Sequence, residues 1–239
     1  MACSIAWPRS GARPSTAPRA ADVPEFDLIG TIRARVGAQR PDVALGIGDD
    51  AALLEPAPGM QLVACTDTLN AGVHFPRGTA PEAIGWKALA VNLSDLAAMG
   101  ATPAWALLAL SLPRDAAAFV AAMAEGFARL ATQHGVTLVG GDTTRGPLAL
   151  TVTALGQVPA GAALLRGGAR AGDAVLVTGT LGDAAAGLAL VQGRLSAPAP
   201  AVAQVLRRRL DYPQPRVAAG LALRGMASAC IDLSDGLLT

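Results

Sequence analysis

A chain of 239 residues can bury a real core, as one large domain or two small ones. Its Lys+Arg 19 against Asp+Glu 18 leave a formal net charge of +1, which supplies no field for nucleic acid or a membrane surface. Lys87 is the only lysine, so the Gly-Lys-Ser/Thr of a Walker A loop is absent, and any phosphate site must rely on arginine, metal and backbone.

Hydrophobic residues make up 52% of the chain and mean hydropathy is +0.41. Alanine carries much of this, and Asp95, Pro103, Asp115 and Asp183 interrupt the apolar stretches, so no run approaches the ~18 apolar residues of a spanning helix. The chain reads as soluble, with no membrane or nucleic-acid partner. Cys3, Cys65 and Cys230 are odd in number and lack metal-ligand spacing, which predicts reduced thiols and a cytoplasmic location.

Residues 1–24 are rich in Ala, Pro, Arg and Ser. Their composition resembles a transit peptide without the apolar core of a secretory signal, but they read as a disordered leader or the product of an upstream start codon. Order is expected from Glu25, where Phe26, Ile29, Ile32 and Val36 have helical spacing. A short strand is expected over 51–54 and another over 62–66. Thr79-Ala80-Pro81-Glu82 has the form of a capping box and opens a helix that Gly100 stops. Asp95 lies in its last turns, where a carboxylate opposes the helix dipole, so a cation nearby is inferred.

A strand follows over 105–112, then a helix over 115–134 with Phe119, Met123, Phe127 and Leu130 on one face. Residues 136–139 read as the end of a buried strand, after which Gly140 and Gly141 free the backbone to turn tightly and approach a ligand. Asp142 follows them directly, and a carboxylate beside bare amides suits a metal–phosphate complex. Residues 148–155 alternate as a strand. The glycine-rich stretch 156–172 marks a boundary, giving domains at 25–158 and 159–239. Beyond it come a strand over 174–178, helices over 182–192 and 201–210, and a strand over 227–233. Because Ser234 and Asp235 announce a helix that Thr239 leaves no room for, the chain reads as incomplete.

Acidic residues recur at the expected element ends: Asp49 with Asp50, Asp67, Asp95, Asp142, and Asp232 with Asp235. Turn chemistry explains each one alone. Together they would repel one another unless cations neutralised them, as in a crowded polyphosphate–metal site. Asp183 is a helix cap, and Lys87 is expected to pair with a helix carboxylate.

The stretches Gly-Ile-Gly-Asp-Asp-Ala-Ala-Leu-Leu from Gly46, Thr-Asp-Thr-Leu-Asn-Ala-Gly-Val-His-Phe from Thr66, and Lys-Ala-Leu-Ala-Val-Asn-Leu-Ser-Asp-Leu-Ala-Ala-Met-Gly from Lys87 occur in that order. Gly-Gly-Asp-Thr-Thr-Arg-Gly-Pro from Gly140, Val-Thr-Gly-Thr-Leu-Gly-Asp-Ala-Ala-Ala-Gly-Leu from Val177 and Ile-Asp-Leu-Ser-Asp-Gly-Leu from Ile231 complete the series. Jointly they resemble the thiamine-monophosphate kinase family. The resemblance implies a mixed α+β fold: a mixed-sheet N-terminal domain of the aminoimidazole-ribonucleotide-synthetase type, for ATP/Mg²⁺ binding and dimerisation, followed by an α/β C-terminal domain.

It further implies several Mg²⁺ ions with ATP as co-substrate. Asp50, Thr66, Asp67, Asp95, Asp142, Asp232 and Asp235 become metal-site candidates. Gly141, Asp142, Arg166 and Ser234 become nucleotide contacts, and His74 a contact to thiamine monophosphate. By itself His74 reads as a surface-loop histidine, and Arg166 reads equally as a carbonyl cap. Cys65 departs from the serine or threonine of relatives, and a thiol is a poor ligand for hard Mg²⁺. The implied reaction is direct in-line transfer of the ATP γ-phosphoryl group to give thiamine diphosphate, with no general base. Alternatives are a related ATP-dependent synthetase, or a non-catalytic remnant that keeps dimerisation and nucleotide binding.

Overall fold

The computed structural model describes residues 24–36, 40–113 and 116–237. Residues 1–23 of the expected leader, Cys3 among them, lie outside the described residues, as does Asp115 at the expected start of a helix.

The chain opens with α1 (Glu25–Val36), whose buried stripe is Leu28, Ile32 and Val36, an i, i+4, i+8 set. Two short strands, β1 (Val43–Leu45) and β2 (Leu53–Leu54), pair antiparallel. Then come β3 (Met60–Asn70), α2 (Pro81–Ala98), β4 (Thr102–Leu112), α3 (Ala117–His134), β5 (Thr137–Arg145) and β6 (Ala149–Pro159). A 3₁₀ turn (Arg166–Gly168), α4 (Asp183–Val191), α5 (Pro200–Asp211) and α6 (Val217–Leu223) complete the elements.

The main sheet has the order β3-β6-β4-β5, antiparallel except for the β4–β5 pair. A parallel pair needs a crossover, and α3 supplies it. Helices α2 and α3 cover one face, with Leu89, Leu93, Leu96, Met123, Phe127 and Leu130 fully buried between them and the sheet. Their axes approach closely because a Cβ at Gly126 would stand 1.8 Å from the Glu82 carbonyl oxygen, and one at Gly85 2.0 Å from that of Met123. Strand alternation leaves Leu62, Ala64, Thr66 and Thr68 on the opposite, open face.

The second unit is anchored on α2. The Trp86 indole N–H donates to the Pro213 carbonyl at 2.7 Å, the Trp86 and Tyr212 rings meet edge-on at 5.8 Å, and the Arg129 guanidinium lies over both. Lys87 is buried beside them. Burial pushes its ammonium pKa down, and the charge of Asp211 on α5 partly offsets this. Asp211 is also ion-paired with Arg207, one turn away on α5.

Several sequence expectations need correction. The strand after Val136 does not end at Val139: β5 runs through Gly140, Gly141 and Asp142 to Arg145, held by its parallel ladder with β4. Thr79 forms no capping box, because its hydroxyl donates to the Pro76 carbonyl at 2.8 Å and α2 has no side-chain cap. The expected strands at 174–178 and 227–233 are irregular coil, since an apolar run becomes a strand only where a partner completes its ladder. Val175 and Leu176 are accordingly 84% and 86% exposed. Strand β2 lies within the strand expected over 51–54, whereas its partner β1, the 3₁₀ turn and α6 were not legible in the sequence pattern.

Candidate functional site

Three of the acidic candidates gather where β3, α2 and the C-terminal segment meet. Asp67 is on the helix-facing side of β3, where its neighbour Cys65 reaches α2: the Cys65 thiol lies 3.4 Å from the Asn92 carbonyl oxygen and 3.7 Å from Asn92 Oδ1. Asp95 is one turn further along α2 from Asn92, and Asp232 lies in the coil that returns to them. The carboxylates feel one another. Burial, then the charges of Asp232 and Asp67, push Asp95 up to about 6, while Arg166 pulls the other way. Burial and then Asp232 also raise Asp67, and His74 partly offsets this. Arg166, which begins the 3₁₀ turn, and His74, in the loop after β3, are thus both in electrostatic reach of the cluster.

These raised carboxylates mark a place where negative charge is unfavourable without a counter-ion. Their donor chemistry, carboxylate oxygen throughout, fits a hard cation such as Mg²⁺. Cys65 does not belong to that donor set. Burial first, then Asp95 and Asp67, push its thiol up to about 12, so it stays protonated against Asn92. As the side chains stand, no three His, Cys, Asp or Glu groups among the described residues converge closely enough to hold an ion.

The remaining candidates are placed elsewhere. Thr66 is on the open sheet face, with its hydroxyl 3.0 Å from that of Thr153. Asp142 is opposite Ala109 in the β4–β5 ladder, and Ala109 opposite Thr151, which puts Asp142 on that open face too. Gly141 has φ 154°, and a Cβ there would stand 1.9 Å from the Leu108 carbonyl oxygen, so its glycine serves approach to a neighbouring strand. Asp50 is exposed in the loop between β1 and β2, its backbone N–H donating to Asp49 Oδ1 at 2.8 Å. Ser234 and Asp235 are exposed in the C-terminal coil. His74 accepts the Asn70 backbone N–H at Nδ1, 3.0 Å away, leaving Nε2 to carry the proton of the neutral ring. Sequence reasoning passed over Asn92, which is fully buried and holds Cys65; its three-residue spacing from Asp95 was the available signal.

The family model for AIR synthase related protein, N-terminal domain, matches residues 48–158. The thiamine-monophosphate kinase of Salmonella typhimurium is 50% identical over 215 residues, 90% of this chain and 66% of the relative. Among solved structures, thiamine-monophosphate kinase from Stenotrophomonas maltophilia is 56% identical with TM-score 0.81, covering 91% of this chain and 70% of that one. This chain belongs to the thiamine-monophosphate kinase family. AaThiL, solved in complex with AMPPCP and TMP, is 36% identical with TM-score 0.71 over 94% of this chain and 70% of its own. The mixed α+β fold is therefore that of the family. The chain spans 66% of the length of the Salmonella relative.

Proposed function

We propose that the chain carries the ATP-dependent phosphorylation of thiamine monophosphate to thiamine diphosphate, in thiamine biosynthesis. The observation that carries this is the family membership, joined to a family structure that holds AMPPCP and TMP together. A phosphate oxygen of thiamine monophosphate forms the new bond to the γ-phosphorus as the bond to the β,γ-bridging oxygen breaks, and ADP leaves. The second pKa of a phosphomonoester is about 6, so the attacking oxygen is mostly deprotonated at neutral pH and no side chain need act as a base. The task left to the protein is to hold two polyanions together.

Asp67, Asp95 and Asp232 would hold Mg²⁺, which when bound supplies charge neutralisation of the phosphates. Asp50, Thr66, Asp142 and Asp235 remain proposed ligands of further ions. Arg166, Ser234 and Gly141 with Asp142 are proposed for the nucleotide, and His74 for the substrate. Residues 25–158 are proposed as the ATP-binding and dimerising domain and 159–239 as a second; the end of β6 at Pro159 supports that division. The open sheet face supports a homodimer, and the thiols of Cys65 and Cys230, which form no disulfide, support a cytoplasmic location. No helix among the described residues is long and apolar enough to cross a membrane.

The alternative reading is a chain that binds the nucleotide without turnover. One pair of measurements separates the readings. Calorimetry of ATP with Mg²⁺ and with EDTA tests the site, and equal affinities overturn it. An assay of thiamine diphosphate formed from ATP and thiamine monophosphate tests turnover; binding without product selects the binding-only reading.

A further inference from the structure

The segment that carries Asp232 is coil, so something other than a strand ladder must fix it. Working back from Asp232, the Cys230 backbone N–H donates to the Leu165 carbonyl at 3.0 Å, and the Leu164 N–H donates to the Met99 carbonyl at 3.1 Å. These two bonds connect Asp232 to the end of α2, just beyond Asp95. Ser228 is held more tightly. Its carbonyl oxygen lies where a Cβ on Gly168 would come to 1.8 Å, and its hydroxyl donates to Asp173 Oδ2 at 2.5 Å. The same Asp173 oxygen accepts the Arg170 backbone N–H at 2.9 Å, closing residues 170–173 into a turn directly after the 3₁₀ turn that Arg166 begins.

We propose that residues 166–173 form a clamp in which Gly168 and Asp173 grip Ser228, setting where Asp232 stands relative to Asp95 and Arg166. Gly168, Asp173 and Ser228 are thus positioning residues of the cation–nucleotide site, an inference that rests on the site reading above. The clamp begins with Arg166 itself, so one small turn places both the guanidinium and the distant carboxylate. Gly220 braces the same region, since a Cβ there would stand 2.0 Å from the Ala97 carbonyl oxygen at the end of α2.

Gly167 provides a matched control. It adjoins Gly168 in the same turn, neither has a positive φ, and a Cβ on Gly167 would meet nothing within 4 Å. The test compares wild type, Gly168→Ala, Gly167→Ala and Ser228→Ala in the full chain. Amide hydrogen exchange reads the clamp without ligand, and calorimetry reads ATP affinity with Mg²⁺ and with EDTA. Gly168→Ala is expected to lose protection at the Cys230 amide and about 10–100-fold in affinity for ATP with Mg²⁺, the range seen when a residue supporting a metal site is altered. Its core amide protection stays at the wild-type level, which a general loss of structure would not allow. Gly167→Ala matches wild type, and Ser228→Ala moves in the same direction as Gly168→Ala by less.

Unchanged Cys230 protection and Mg²⁺-dependent affinity in Gly168→Ala overturn the clamp, as does equal impairment in Gly167→Ala. If Gly168→Ala does not fold, Ser228→Ala and Asp173→Asn decide, because neither adds bulk. If wild type itself shows no Mg²⁺-dependent affinity, the site reading fails, while the exchange arm still decides whether the clamp holds residues 228–232.

Discussion

Asp67 and Asp142 stand on opposite faces of one sheet, at its two edges. Asp67 is level with Val152 on β6, Leu108 on β4 and Gly141 on β5, so Gly141 shares its face and Asp142, one residue on, does not. Three strand spacings add about 14 Å between the two edges. Within one copy of the chain, Asp142 is therefore not a fellow ligand of Asp67 and Asp95.

That separation predicts which carboxylates are energetically coupled. In EDTA, Asp67→Asn and Asp95→Asn each remove one partner of a repelling pair, so the second substitution relieves less than the first. A double-mutant cycle on unfolding free energy is expected to show coupling of at least about 0.5 kcal/mol for that pair. For Asp67→Asn with Asp142→Asn the effects should add to within about 0.5 kcal/mol. Urea melts of the single and double variants decide it; strong coupling of Asp142 to Asp67 contradicts the placement.

The Asp95 shift fixes a pH dependence. Its folded pKa, about 6, is raised above the unfolded value, so the protonated form favours the fold. That contribution is complete below about pH 4 and is lost as pH rises through about 6. Asp95→Asn should therefore be more stable than wild type at pH 7.5 in EDTA. Discounted for solvent screening, the gain is about 1 kcal/mol, or about 2–4 °C in Tm. The gain should vanish at pH 4, and Mg²⁺ should stabilise wild type more than the variant. A variant less stable than wild type at pH 7.5 in EDTA refutes the argument.

What the sequence made legible was what local chemistry decides. Helices α2 and α3 end where Gly100 and Gly135 predicted, both with φ near +63°. The acidic candidates were legible as a set. Their partition was not, because whether Asp142 faces Asp67 depends on the β3-β6-β4-β5 order, which no short window encodes. Gly140 and Gly141 misled for a related reason: glycine is read as a turn signal, yet Gly141 is needed where β5 passes close to Leu108. The runs 174–178 and 227–233 have strand composition, but a strand is a pairwise object and composition does not supply the partner.

The open face of the sheet yields a prediction about assembly. Leu62 is 52% exposed and Leu107 37%, beside the small and hydroxyl-bearing side chains of Ala64, Thr66, Thr68, Thr151 and Thr153, with Asp142 at the far edge on β5. If two copies join there, Leu62→Glu combined with Leu107→Glu should give monomers, because a buried unpaired carboxylate opposes association. Light scattering at micromolar concentration is expected to read a dimer for wild type and 23.9 kDa for the variant. A 23.9 kDa species for wild type, or a dimer unaffected by both substitutions, contradicts the interface.

The last prediction concerns Trp105, a fully buried ring near the start of β4. Its indole N–H donates to Asp42 Oδ1 at 3.3 Å, Arg40 forms a two-pronged ion pair with the same carboxylate, and the Arg40 guanidinium lies 5.7 Å over the ring. Arg40 also donates to the Gly135 carbonyl at 2.7 Å, tying the start of β1 to the end of α3. The Arg40 hydrogen bond holds the Asp42 carboxyl below its ordinary value, against a smaller opposing effect of burial. A depressed carboxylate stabilises the fold above its unfolded pKa, about 3.9, and the contribution is lost as pH falls through the folded value. Wild type should therefore lose stability below about pH 4, and Asp42→Asn should be less stable at pH 7 with a shallower acid limb. Trp105→Phe leaves Asp42 short of a donor and should cost about 1–3 kcal/mol at pH 7. Because this network anchors the strand that leads to Asp49 and Asp50, both variants should also raise proteolysis of that loop under native conditions. Denaturant melts at pH 3, 4 and 7 with limited proteolysis at pH 7 make the check; an acid limb unchanged by Asp42→Asn places the acid-labile carboxylate elsewhere.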